Sequence, residues 1–189
     1  LEFDGVSDYL QVSTVDNTEI GMTTTSGNTS SQDNRTVAVW IKPAESGTFA
    51  AIQHIFYASA GGGADGYGLL LSNSGVLIME VDDGTTRHSE VSVIANFDFR
   101  QNVWMRIVAV FDAVNSNLTS YVNGIELMNE DTTQWTGDVT PQGNIVIGAH
   151  ATSATFPYNG QMSDFQVWNE VWSLSDVQYD YTHPEKLIT

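Results

Sequence analysis

The sequence predicts an all-β protein, an antiparallel sandwich closed by a short C-terminal helix, and three observations carry that expectation. Runs rich in β-branched and aromatic residues recur at roughly 8–15-residue spacing, separated by Gly, Asn, Asp and Ser clusters. The tract from Asn102 to Leu127 reads as two long strands, a polar turn and an Asn-Gly hairpin. Finally, 189 residues without a single cysteine suit one domain, residues 1–189, with a core that needs no disulfide staples.

Each element follows from its own residues. Tyr9 to Ser13 alternates apolar and polar side chains, the period of a half-buried strand. From Thr36 to Lys42, Val37, Val39 and Ile41 share one face while Ala38 and Trp40 share the other. Further strands are expected over Ala50 to Ala58, Tyr67 to Leu71, Val76 to Val81 and, after the Asp82-Asp83-Gly84 turn, Thr86 to Ile94. Val103 to Phe111 and Leu118 to Val122 flank Asn115-Ser116-Asn117, and Asn123-Gly124 predicts a type I′ turn into Ile125 to Met128. Asn144 to Ala149 and Gly160 to Trp168 complete the strands. Val15 to Asn34, crowded with Thr, Ser, Asn and Gly, reads as a long surface loop. Ser173, with Asp176 three residues on, caps a short helix expected to cover a sheet edge or an open end.

Composition bounds the partners. A net charge of −17, from 23 acidic and 6 basic residues, argues against a nucleic-acid backbone and leaves metal cations and neutral ligands compatible. Such acidity suits solubility in salty or extracellular settings. No apolar run approaches the roughly 18 residues of a membrane span, so insertion into a membrane is not expected. The chain opens on Leu1 without an initiator Met or a basic-then-apolar leader, and is expected to come from a larger or processed polypeptide.

Several segments together carry a family resemblance. They are Leu1-Glu2-Phe3-Asp4-Gly5 with Asp8 to Val12, Val37 to Ile41, Gly66-Tyr67-Gly68-Leu69, and Trp104 with Val108 to Asp112. Tyr121-Val122-Asn123-Gly124, Ile147-Gly148, Gly160 to Trp168 and Leu174-Ser175 follow in the same order. In order and approximate spacing they resemble the laminin G-like/pentraxin branch of concanavalin A-like domains, over essentially the whole chain. The resemblance implies a jelly-roll sandwich of two antiparallel sheets. It leaves function open, because this fold carries lectins, receptor-binding modules, glycosidases and spacers alike.

Glycosidases of this fold place carboxylates on alternate positions of one strand, where they act as acid and nucleophile. Glu80-Val81-Asp82 begins that pattern, but no third carboxylate follows in register, so no enzyme is expected. His54, His88, His150 and His183 fall in no zinc spacing, no nucleophile elbow occurs, and Gly61-Gly62-Gly63 lacks the lysine of a phosphate loop.

Calcium is the cofactor that the resemblance implies. An acidic residue just before the strand at Gly66 is a calcium ligand in such domains, and Asp65 occupies that place. Laminin-type domains draw another ligand from the loop after the hairpin, where Asp131 and Asp138 are the alternatives. Some relatives also hold a structural ion between positions matching Asp4 and Asp164; for Asp164 the other reading is bonding to amides of the first strand.

For a sugar or peptide ligand, aromatic groups at strand ends and in loops are the candidates. Tyr67, Trp135, His150 and Tyr158 lead, with Tyr57, His88 and Phe156 beside them; all but Tyr57 and Tyr67 fall in polar loops or at strand ends. Trp135 is the expected stacking platform, the other reading being a side chain folded over its loop's own small core, whereas Trp40, Trp104, Trp168 and Trp172 read as packing residues. The sequence thus points to a noncatalytic extracellular or cell-surface module that binds glycan or a surface protein with calcium. The alternative is a structural or decoration domain packed against neighbouring chains of a larger cell-surface or virion assembly.

Overall fold

Alternation along the strands builds two six-stranded antiparallel sheets. A computed structural model describes residues 1–12, 34–44, 49, 51–59, 66–82, 87–91, 97–131, 144–150 and 155–184. The first sheet holds, in spatial order, β1 (Glu2–Asp4), β12 (Asn159–Trp168), β3 (Arg35–Pro43), β8 (Met105–Asp112), β9 (Asn117–Val122) and β10 (Ile125–Asp131). The second runs β2 (Leu10–Val12), β11 (Ile145–Ile147), β4 (Gln53–Ser59), β5 (Gly66–Leu71), β6 (Leu77–Asp82) and β7 (Arg87–Val91). Every described pairing is antiparallel, and this is the expected jelly-roll sandwich.

Strand faces divide as the period of two requires. Val37, Val39 and Ile41 of β3 enter the main core with Ile107, Ala109 and Phe111 of β8, while Ala38, Val108, Val110 and Tyr121 point the other way. The sheets meet through aromatic edges: Phe111 receives Phe56 of β4 at 6.4 Å and Tyr67 of β5 at 5.1 Å between ring centroids. Such pairs stabilise beyond the area they bury, by about 0.5–1.5 kcal/mol each.

The helix α1 (Leu174–Thr182) lies on the outer face of the first sheet, neither at an edge nor over an end. Trp172 and Val177 pack on Ala38, Val108, Val110 and Tyr121. The reciprocal Ser173–Asp176 capping box starts the helix as expected. A buried charge fastens it. Arg106, 1 % exposed, donates through Nε and Nη2 to the two carboxylate oxygens of Asp180 at 2.7 and 2.8 Å. Its Nη1 donates to Asp164 Oδ2 at 2.9 Å, and its guanidinium lies 5.9 Å from the Trp40 ring centroid.

The β9–β10 hairpin turns as the sequence predicts. Asn123 and Gly124 both take positive φ, +50° and +78°, as a type I′ turn demands. Asn123 adds a second function, because its Oδ1 accepts the Arg106 N–H at 2.9 Å. Trp104, expected to pack, is instead 44 % exposed, and β1 forms an edge strand on β12. The long loop expected from Val15 to Asn34 falls outside the described residues except at Asn34.

Candidate functional site

The outer face of the second sheet gathers aromatic rings from two chain segments. Ordinary alternation would send His54 and Tyr57 of β4 to opposite faces, but a bulge between His54 and Phe56 resets the register. Ile55, Phe56 and Ala58 consequently enter the core while His54 and Tyr57 meet on the outer side. His150 lies over Tyr57, with centroids 4.2 Å apart and planes 35° from parallel, and is 4.8 Å from His54. Phe156 closes the group at 5.8 Å from His54 and 6.1 Å from His150.

Backbone bonds hold these rings in place. His54 N–H donates to the Phe156 carbonyl at 3.0 Å, and His150 N–H donates to the Thr155 carbonyl at 2.9 Å. Phe156 adopts φ +52°, a left-handed conformation that costs a bulky residue free energy and collects at functional sites. It is nevertheless 44 % exposed, whereas Tyr57 and His54 are buried. The solvent-facing part of the cluster is therefore Phe156 and the half-buried His150, with Tyr57 and His54 as its support.

Beside Tyr57, β5 carries no side chain. Gly68 of β5 pairs with Tyr57, and a Cβ there would come within 3.0 Å of Tyr57 Cδ2 and 3.4 Å of Glu80 Cβ. Glycine thus lets the Tyr57 ring lie against β5 with the half-buried Glu80 on the other side. Asp82, two residues along β6, is only 6 % exposed, so the paired carboxylates of the sequence are not both presented to solvent.

The predicted site residues separate into four groups, of which Asp4 and Asp164 are the last. His150 joins the cluster together with Tyr57 and Phe156, which the sequence also singled out, and with His54, which the sequence considers only against zinc spacings. Tyr67 and Tyr158 are corrected. Tyr67 is 1 % exposed against Phe111, and Tyr158 is fully buried edge-on to Phe3, where desolvation pushes its hydroxyl pKa up. Neither can stack on a ligand. Asp65, Asp138 and Trp135 lie outside the described residues, as does the side chain of Asp131, whose backbone ends β10.

The expected ion between Asp4 and Asp164 does not fit. Asp4 pairs with Asn159, so Asp164 lies five residues further along β12, about 16 Å at strand spacing. Asp4 Oδ1 already accepts the amides of Val6 and Ser7 at 2.8 and 2.9 Å, and these bonds hold its pKa below the ordinary carboxylate value. Asp164 is engaged by Arg106 and by Gln166 Nε2 at 2.8 Å, not by amides of the first strand. A cation beside that guanidinium would meet repulsion.

Comparison with known proteins now places the fold. A family model of the laminin G type, described as the concanavalin A-like lectin/glucanases superfamily, matches residues 4–178. The chain belongs to that superfamily. Among solved structures it is similar to the CBM40 of the Ruminococcus gnavus IT-sialidase bound to α2,3-sialyllactose, with a TM-score of 0.68, 16% identity, and 95% of each chain covered. The botulinum neurotoxin serotype D binding domain gives 0.69 and 15%, covering 97% of this chain and 42% of that one. The heptameric SAP-like pentraxin of Limulus polyphemus gives 0.60 and 18%, covering 79% and 70%. Identities this low speak for the fold alone. No curated protein sequence matches the chain.

Proposed function

We propose that this member of the superfamily is a noncatalytic, extracellular glycan-binding module whose ligand stacks on Phe156 and His150. The observation that carries the reading is Phe156, a large ring held at φ +52° and 44 % exposed beside a supported histidine. Aromatic faces bind the apolar C–H side of a sugar ring, and Glu80 across the Gly68 gap can accept hydroxyl protons. Solved relatives of the same fold include a carbohydrate-binding module holding sialyllactose and a toxin binding domain, which supports binding over catalysis. Burial of Asp82 supports it further, because a two-carboxylate hydrolase must expose both groups to substrate.

Calcium belongs to the same proposal as a contribution from the nearby rim. Gly66, which follows Asp65 in the chain, is two residues, about 7 Å, along β5 from Gly68. The end of β10 at Asp131 lies at the same end of the sandwich, since Tyr67 meets Phe111 and Phe111 leads through Leu118 to Glu130. Asp65 with Asp131 or Asp138 would hold the ion, which offers a hard contact to ligand oxygens.

The test is a glycan array followed by calorimetry on the strongest hit. Phe156→Ala and His150→Ala should each weaken binding about ten-fold or more without lowering the melting temperature. Unchanged affinity in both variants would overturn the site. Calcium titration should give one binding event that Asp65→Asn removes; a flat titration would end the calcium part alone.

A further inference from the structure

A second polar site lies on the outer face of the first sheet, where β1, β12 and β3 meet. Glu2 pairs with Gln161, and Gln161 pairs with Lys42, so a carboxylate, an amide and an ammonium stand in one row across three strands. At strand spacing Glu2 and Lys42 are roughly 10 Å apart, the breadth of one substituted sugar ring. Asn159 and Asn102 complete the lining of a pocket of about 240 Å³ at this place. Trp104, 44 % exposed, immediately precedes Met105, which pairs with Ile41, the neighbour of Lys42 in β3.

Among the described residues, no hydrogen bond or ion pair engages the side chains of Glu2, Lys42, Asn102, Asn159 or Gln161. Lys42 differs in this from Arg100 and Arg106, which are held in ion pairs with Asp98 and with Asp164 and Asp180. The pocket's frame, in contrast, is firmly held. Phe3 and Tyr158 pack beneath it, Ala44 N–H donates to the Asn159 carbonyl at 2.9 Å, and Asn159 N–H donates to Gln53 Oε1 at 3.0 Å.

We propose that this pocket binds a single monosaccharide unit carrying one carboxylate. The carboxylate meets Lys42, the ring hydroxyls bond Gln161, Asn159 and Asn102, and the far hydroxyl donates to Glu2. Trp104 supplies the apolar wall beside Lys42. A polyanion is excluded, because Glu2 lies in the same row and the whole chain carries −17. The site is separate from the Phe156 cluster, so a ligand of several linked sugars can engage both at once, in the way linked subsites raise avidity.

Amide chemical shifts of the whole chain, followed during titration with galacturonate and with galactose, test the proposal. Galacturonate should move the signals of Lys42, Asn159, Gln161 and the Trp104 indole N–H at millimolar concentration. Lys42→Met should weaken galacturonate about five-fold, the equivalent of ~1 kcal/mol for an exposed ion pair, and leave the weaker galactose binding unchanged. Gln161→Leu should weaken both sugars, and Phe156→Ala neither. Absence of shifts at these four residues, or a Lys42→Met variant that binds galacturonate as tightly as the parent, would overturn the site. Because the spectra also report folding, a misfolded variant is recognised and replaced by Lys42→Gln.

Discussion

Asp4 and Asp176 each accept hydrogen bonds from nearby groups that hold their pKa values below the ordinary carboxylate range, Asp4 through the amides of Ser7 and Val6, Asp176 through the Ser173 hydroxyl and amide. A carboxylate with a depressed folded pKa contributes stability that is in place above its unfolded value, about 3.9, and is lost as pH falls through the lower folded value. Thermal melts should therefore lose stability between about pH 4 and pH 2, with Asp176→Ala less stable at neutral pH and flatter over the acid limb. Gly68 makes a second prediction at this scale. Gly68→Ala sets a Cβ 3.0 Å from the Tyr57 ring, so it should shift the His150 and Phe156 resonances and weaken glycan binding more than it lowers the melting temperature. At residue level, His150 and Phe156 were legible as aromatic groups in loops or at strand ends, and Tyr57 as one within a strand. Tyr67 and Tyr158 had the same local signature yet face the core, a distinction that only the opposing sheet makes.

Bulges decide what could be read at the level of elements. Strand periods located every long strand to within a few residues, and the Ser173 box located α1. Alternation fails, however, wherever a residue is inserted. The bulge in β4 brings His54 beside Tyr57, and the one between Ser163 and Gln166 in β12 gives Asp164 its φ of +52°. Neither bulge has a glycine or proline to announce it, so the sequence considers His54 only against zinc spacings and leaves Asp164 between an ion and amides of the first strand. The helix seat was equally illegible, since Arg106 sits within an apolar run and meets Asp180 from 74 residues away. Arg106→Ala leaves two buried or half-buried carboxylates facing each other and should cost about 3–5 kcal/mol in urea unfolding. Arg106→Lys should recover only part of this, because an ammonium cannot span both Asp180 oxygens as the fork does.

For the molecule as a whole, two sheets hold the aromatic cluster and the polar row on opposite outer faces, both carried by strands that share one core. A surface this acidic disfavours polyanions, so binding to heparin or DNA should stay undetectable at physiological salt, as a filter or mobility assay would show. Superfamily membership was legible because its markers are packing residues and turns, such as Val37, Val39, Phe111 and Asn123-Gly124, whose positions the fold itself dictates. The ligand was not, since recognition depends on which rings a bulge and a left-handed Phe156 bring together. The most direct test of glycan binding at that cluster is a crystal structure of the chain with the strongest array hit. The expected result is a sugar ring stacked on Phe156 and His150 with a hydroxyl within hydrogen-bonding distance of Glu80. Sugar density elsewhere, with those two rings left in solvent, would contradict it.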